Sequence, residues 1–363
     1  MTLLKEHLAG LIRADGPLSI AEYMRIVLTA RDDSYYKRRD PFGATGDFVT
    51  APEVSQIFGE LIGLWCVDVW RQLGSPKHLT LVELGPGRGT LMKDALRAAR
   101  VAPAFVASVS VVMVEVSQVL RRLQQEALRE SRLPVHWLDR FDDLDVEGPV
   151  IVVANEFFDA LPMRQWVRIP QGWSERCVGL DQAGELVFGA TPERIDARLV
   201  PPALRDAPVG SIVEVSPARA AVARLVAERI ARTGGAVLAI DYGFWGPAAG
   251  DTFQAVKGHA YADLLKEPGE ADLTSHVDFA ALAEAFREGG LKVSDMAIQA
   301  AFLNRLGARE RVAGLKRVAT AVQSSQLDEA YARLTGLDAM GSLFKALCAY
   351  APATLQLAGF SDA

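Results

Sequence analysis

The chain has 363 residues, 50% of them hydrophobic and 23% charged, with a formal net charge of -6. This is an ordinary globular composition, long enough at roughly 150 residues per domain for two or three domains or one elaborated one. The acidic balance argues against a nucleic-acid surface, which needs clustered Lys and Arg. The longest apolar runs, near residues 104–114, are too short to span a bilayer, so no membrane insertion is expected.

The first seventeen residues, "MTLLKEHLAGLIRADGP", carry Glu6 and Asp15 and lack a long apolar core. They fit neither a secretory signal nor an acid-poor, Arg-rich transit peptide, and read as a helix. A cytoplasmic protein follows, and Cys66, Cys177 and Cys348 agree with it. They form no CxxC pair and read as buried small apolar residues in a reducing compartment. The five histidines show no HExxH spacing, so no metal is expected.

Residues 1–75 are expected to form a helical cap. Within it, the Gly-, Pro- and Asp-rich stretch "SYYKRRDPFGATGDFVTAPE" (34–53) reads as a lid-like loop. Val54, Ile57, Phe58, Leu61, Ile62 and Trp65 then mark one face of a helix that stops near Gly74. Thr50, Glu53 and Ser55 either cover a ligand or start that helix.

From residue 76 a core is expected to run to 363. "LTLVEL" (79–84), "VSVVMVEV" (109–116), "VHWL" (135–138) and "PVIVVAN" (149–155) read as strands. Helices at 89–100 and 117–128 alternate with them, the second capped by Ser117. Such alternation implies a parallel sheet with helices on both faces. An antiparallel meander interrupts it over an insertion at 163–216. "SIVEV" (211–215) and a helix at 217–232 then lead back to a fifth core strand, "AVLAIDYG" (236–243). A helix at 275–290 is expected to start with Ser275 and Asp278 in capping-box spacing. "LKVSDMAIQ" (291–299) and "LFKALCAYAP" (343–352) read as a closing antiparallel pair around a helical insertion at 300–340. The α/β pattern, a Rossmann-like sheet ending in a late hairpin, is that of class I methyltransferases.

"ELGPGRGTL" (83–91) joins the first strand to a helix. Gly85, Gly87 and Gly89 let backbone approach a ligand, and the helix N-terminus suits a carboxylate or phosphate. The dinucleotide fingerprint needs glycine where Thr90 stands. An acid at the strand end followed by GxGxG, here Glu83, Gly85, Gly87 and Gly89, favours S-adenosylmethionine (SAM). Glu115, ending the second strand, can accept both ribose hydroxyls, a device that NAD enzymes share. Asp139 after "VHWL" either meets the adenine amino group or is a loop residue.

"DPFGATGDFVTAPEVSQIFGELIGLW", "ELGPGRGTLMKDALR", "NEFFDALP", "DYG", "DLTSHVDF" and "QAAFLNRLG" occur in this order over most of the chain. Together they resemble the protein arginine methyltransferases of the mitochondrial complex I assembly factor 7 type and their bacterial relatives. The resemblance implies a seven-stranded class I fold, SAM as cofactor, and methylation of arginine in a protein. In the mitochondrial members that protein is a respiratory complex I subunit. A homo-oligomer is compatible with the chain.

"NEFFDALP" (155–162) ends the fourth strand, beside the glycine loop. Arginine is a poor nucleophile, with a guanidinium pKa of about 12.5–13.8. Carboxylates can clamp its N–H fork and aim one nitrogen at the methyl. Glu156 is the first choice for that clamp and Asp159 the second, although Asp159 also suits a brace before Pro162. Asn155 either orients the nucleophile or ties down the loop. Phe157 or Phe158 can wall the site. Asp241, Tyr242 and His276 are weaker candidates, for which turn chemistry and a helix end are the simpler readings. Two other functions stay open: methylation of another amine or an amide, and a non-catalytic assembly chaperone with this fold.

Overall fold

The segment Leu79–Leu84 (β1) is buried at every residue. A strand covered on both faces belongs inside a parallel sheet flanked by helices. Its neighbours are Val109–Val114 (β2), Val135–Leu138 (β3), Val150–Asn155 (β4), Gly235–Phe244 (β5), Lys292–Val293 (β6) and Phe344–Ala351 (β7). Their order across the sheet is β6-β7-β5-β4-β1-β2-β3. β1 to β5 run parallel, and β7 pairs antiparallel with β5 and β6. This is the class I methyltransferase sheet with its reversed late strand. The computed structural model describes residues 3–38 and 49–360; residues 39–48, the middle of the expected lid-like loop, lie outside the described residues.

The chain divides into two compact units, 49–158 with 222–244 and 282–363, and 1–48 with 159–221 and 245–281. The division cuts the 1–75 segment that the sequence grouped as one cap. Residues 49–75 go with the sheet and residues 1–48 with the meander.

In the sheet unit, alternation along β1 turns Leu79, Leu81 and Glu83 to one face. Leu79 and Leu81 join a core with Val111, Met113, Ile151, Val153, Leu238 and Ile240. Helices Gln56–Gln72 (α1) and Thr90–Ala99 (α2) pack in this unit, and Gln118–Leu128 (α3) follows β2. Ser55 caps α1 by accepting from Ile57 N. Gly63 lets α1 lie hard against α2: a Cβ there would stand 2.3 Å from Ala95 O. α2 and the glycine loop ahead of it are thereby fixed. The buried Glu60 of α1 takes Arg311 bidentately, at 2.7 and 3.0 Å, tying helix Ala308–Lys316 to the same support.

In the meander unit, Arg164–Ile169, Gly172–Leu180 and Leu186–Ile195 form antiparallel neighbours. Ile212–Val215 pairs with Arg164–Ile169, so "SIVEV" completes the meander. Helices Leu3–Asp15 and Ile20–Arg25 belong here, packing Leu8, Ile20, Tyr23 and Met24 with Met163 and Val178.

Two local expectations are corrected. The helix expected at 275–290 runs Phe279–Glu288, and its start is capped by Asp278, whose Oδ1 accepts from Ala280 N and Ala281 N. Ser275 is no cap; its N–H donates to Asp159 O. The expected closing strand at 291–299 is two rungs, Lys292–Val293 and Ala297–Ile298, both on β7.

Candidate active site

The loop after β1 makes three left-handed steps, at Gly85 (φ 61), Gly87 (φ 52) and Gly89 (φ 80). L-residues with a Cβ avoid this region, which explains the three glycines. Gly85 is also crowded: a Cβ would lie 2.9 Å from Phe157 Cδ2. The glycine loop and the loop after β4 are therefore in contact, as adjacent parallel strands require.

Glu83 lies under the first turn of α2, 3% exposed. Burial pushes its carboxyl up to about 8, opposed by the hydrogen bond from Met92 N. Oε2 is buried with no hydrogen-bond partner among the described residues. An orphaned acceptor beneath a glycine cradle fits a ligand that brings a donor, such as the ammonium of SAM.

Glu115 follows β2 directly and is buried. Its Oε1 accepts from Ser117 N at 2.7 Å, and Oε2 is 3.4 Å from Gln124 Nε2. Burial pushes this acid up to about 7, partly opposed by those bonds. Gln124 also donates to Gly87 O at 2.7 Å and accepts from Trp137 Nε1 at 2.8 Å. One fully buried amide thus joins the glycine loop, the acid after β2 and strand β3. The sequence reading missed Gln124 and Trp137. The amphipathic pattern of α3 put Gln124 on no recognised polar site, and only the fold turns it inward. Asp139 is exposed at the end of β3 and pairs with Arg121 at 2.5 Å.

Asn155 ends β4, buried, with Nδ2 donating to Glu156 Oε1 at 3.2 Å. Its Oδ1 has no hydrogen-bond partner among the described residues. Glu156 has φ 50, in the left-handed region. A non-glycine residue held there costs on the order of 1–3 kcal/mol, and such strain clusters at functional sites. Glu156 N donates to Ile240 O at 2.9 Å, and Oε1 also accepts from Ala51 N at 3.2 Å. Glu53, two residues on, accepts from the Thr90 hydroxyl and lies 3.7 Å from Arg88 Nη1. Glu53 therefore grips the glycine loop, and Ser55 starts α1.

Phe158 is fully buried and meets Phe286 edge-on, whereas Phe157 stays half-buried against Gly85. Asp241 is fully buried, accepting from Phe158 N and Tyr242 N, both at 3.0 Å. Its described bonds are those of a loop brace.

Asp159 belongs to the meander unit, apart from the unit that holds Glu156. It is buried, and its carbonyl accepts from Ser275 N and Arg219 Nη2. His276 precedes the helix start, with its N–H on Thr252 Oγ1 and its carbonyl on Arg219. Among the described residues no group of three or more His, Cys, Asp or Glu is placed to hold a metal. No described helix is long and apolar enough to cross a membrane.

Sheet order, glycine loop and strand-end acids define a class I SAM-dependent methyltransferase. Residues 61–297 match a family model described as an S-adenosyl-L-methionine-dependent methyltransferase. A COG1565 superfamily member from Burkholderia thailandensis, solved bound to S-adenosyl-homocysteine, superposes with a TM-score of 0.84 at 29% identity, over 99% of this chain and 93% of that one. The mitochondrial protein arginine methyltransferase NDUFAF7 of Danio rerio is 36% identical, over 94% of this chain and 85% of its own. The Drosophila melanogaster homolog is 38% identical, over 96% and 84%. The chain belongs to the NDUFAF7 family of protein arginine methyltransferases.

Proposed function

We propose that this chain transfers the methyl of SAM to an arginine side chain of a protein, with Glu156 as the acceptor-side acid. The observation that carries the reading is the contact of Phe157 with Gly85, which brings the loop after β4 onto the glycine loop. Glu83, Gly85, Gly87, Gly89 and Glu115 hold the cofactor, with Gln124 bracing them and Asp139 at the adenine end. When bound, SAM supplies an electrophilic methyl on a cationic sulfonium. The carboxylate of Glu156 draws one guanidinium N–H pair into a charge-assisted fork and orients a terminal nitrogen. Asn155 Oδ1, buried with no partner among the described residues, accepts a further N–H from the nucleophile. The half-buried ring of Phe157 lines the site beside the acceptor cation.

By resemblance the substrate is a respiratory complex I subunit, and the setting a bacterial cytoplasm. The three free, buried cysteines suit that reducing compartment. A second reading, methylation of an amide or another amine, draws on the same Asn155 Oδ1, which can accept from any N–H donor.

The test is radiolabelled methyl transfer from SAM into lysate of a strain lacking this protein, with identification of the modified residue. Arginine labelling is expected. Labelled glutamine or lysine with unmodified arginine would defeat the acceptor and leave the cofactor reading standing. Glu156→Gln should bind S-adenosylhomocysteine and transfer methyl slower by on the order of a hundredfold. Gly87→Val should lose S-adenosylhomocysteine binding by calorimetry, because valine is strained at φ 52.

A further inference from the structure

The four-residue helix Ala51–Val54 touches both halves of the proposed site. At its start, Ala51 N–H donates to Glu156 Oε1 at 3.2 Å. Near its end, the Glu53 carboxylate accepts from the Thr90 hydroxyl and lies 3.7 Å from Arg88 Nη1. Arg88 and Thr90 flank Gly89, at the point where the glycine loop becomes α2. The turn between these contacts is tight. Glu53 N and Val54 N both donate to Thr50 O, at 2.9 and 3.1 Å, and Ala51 and Pro52 are buried. Such a turn moves as a unit, so a pull on Glu53 reaches the Ala51 N–H.

We propose that Glu53 is a positioning residue which, through helix Ala51–Val54, couples the state of the glycine loop to the carboxylate of Glu156. The proposal rests on the reading of that loop as the cofactor site and of Glu156 as the acceptor acid. Without ligand, Glu53 holds the loop and Ala51 holds Glu156 Oε1, which also takes the Asn155 amide. A ligand carboxylate at the start of α2 attracts the Thr90 hydroxyl and the Arg88 cation, and repels the carboxylate of Glu53. Glu53 then loosens, the turn shifts, and Ala51 releases Oε1 for a guanidinium N–H. Cofactor loading thus precedes acceptor binding.

Hydrogen–deuterium exchange, read by mass spectrometry with and without saturating S-adenosylhomocysteine, tests this. In wild type the ligand should slow exchange across 85–92 and speed it severalfold across 50–54. In Glu53→Ala, which removes the acceptor of the Thr90 hydroxyl, 85–92 should still gain protection, while 50–54 exchanges fast whether or not ligand is present. Thr90→Val, which removes the same bond from its other end, should reproduce that loss of ligand response at 50–54. Protection at 85–92 in wild type with 50–54 unchanged would overturn the coupling. So would a ligand response at 50–54 that survives in Glu53→Ala. Absence of protection at 85–92 in wild type would overturn the cofactor reading itself, and the coupling with it.

Discussion

Burial shapes the acids at the ends of β1 and β2 more than any charge partner does. Glu83 is pushed up to about 8 and Glu115 to about 7, each by desolvation first. A buried acid with a raised pKa keeps a proton that the unfolded chain gives up near its ordinary value of about 4.5. Its contribution to stability is fully present below that value and is lost as pH rises, through about 8 for Glu83. The ligand-free protein should therefore melt at falling temperature between about pH 5 and about pH 8. Glu83→Gln, with no proton to lose, should show a shallower fall, and parallel melting curves for the two proteins across that range would refute the assignment. A ligand ammonium reverses the preference, because it favours the ionised carboxylate. S-adenosylhomocysteine affinity should accordingly rise with pH up to about 8 in wild type and stay flatter in Glu83→Gln.

At the scale of elements, β4 and β5 hold their carboxyl ends in place through one buried side chain. Asp241 of β5 accepts from Phe158 N in the loop after β4, and from its own neighbour Tyr242 N. Asp241→Ala strands both N–H groups, and each buried donor left without an acceptor costs about 1–3 kcal/mol. The expected result is a drop of a few kcal/mol in urea denaturation, with Asp241→Asn losing less because its amide oxygen still accepts. An alanine variant as stable as wild type would mean that the loop finds other acceptors. The strands and helices around this brace were legible in the sequence, since uninterrupted apolar runs and Gly or Ser punctuation mark them locally. Glu83, Glu115 and the glycine loop were legible for the same reason: a strand end fixes where its last side chain sits. Gln124, Trp137 and the grip of Glu53 on Thr90 were not, because each depends on how one element is rotated against another. The Ser275–Asp278 spacing misled for a related reason. The strand Asp272–Thr274 ends just before Ser275, a second short strand, Val277–Asp278, follows, and Asp278 alone caps the helix. "SIVEV" was legible as a strand, but its partner at Arg164–Ile169 was not, since pairing between residues as distant in sequence as Arg164 and Val215 leaves no local trace.

At the scale of the whole chain, both units are discontinuous in sequence, so neither can be cut out as one piece. The borders fall at 48/49, 158/159, 221/222, 244/245 and 281/282. The first segment matters most for the meander unit. Leu4, Leu8, Ile20, Tyr23, Met24 and Val27 come from it, and they share a core with Met163, Val178, Phe253 and Leu273 from the other two segments. Each such side chain contributes roughly 1.5–3 kcal/mol on burial, and a domain's net stability is only about 5–15 kcal/mol. Removing residues 1–48 therefore takes away more than the meander unit can lose. The truncated chain should bind 1-anilinonaphthalene-8-sulfonate strongly, and limited proteolysis should cut first within 159–221 and 245–281. The sheet unit keeps its own core, with Leu81, Val111, Ile151, Leu238 and Cys348, and all the proposed cofactor residues. Fragments that resist proteolysis should map to 49–158, 222–244 and 282–363, and S-adenosylhomocysteine should increase their resistance. Truncation that leaves 159–221 as protected as in the full chain would show that the meander folds without its N-terminal helices.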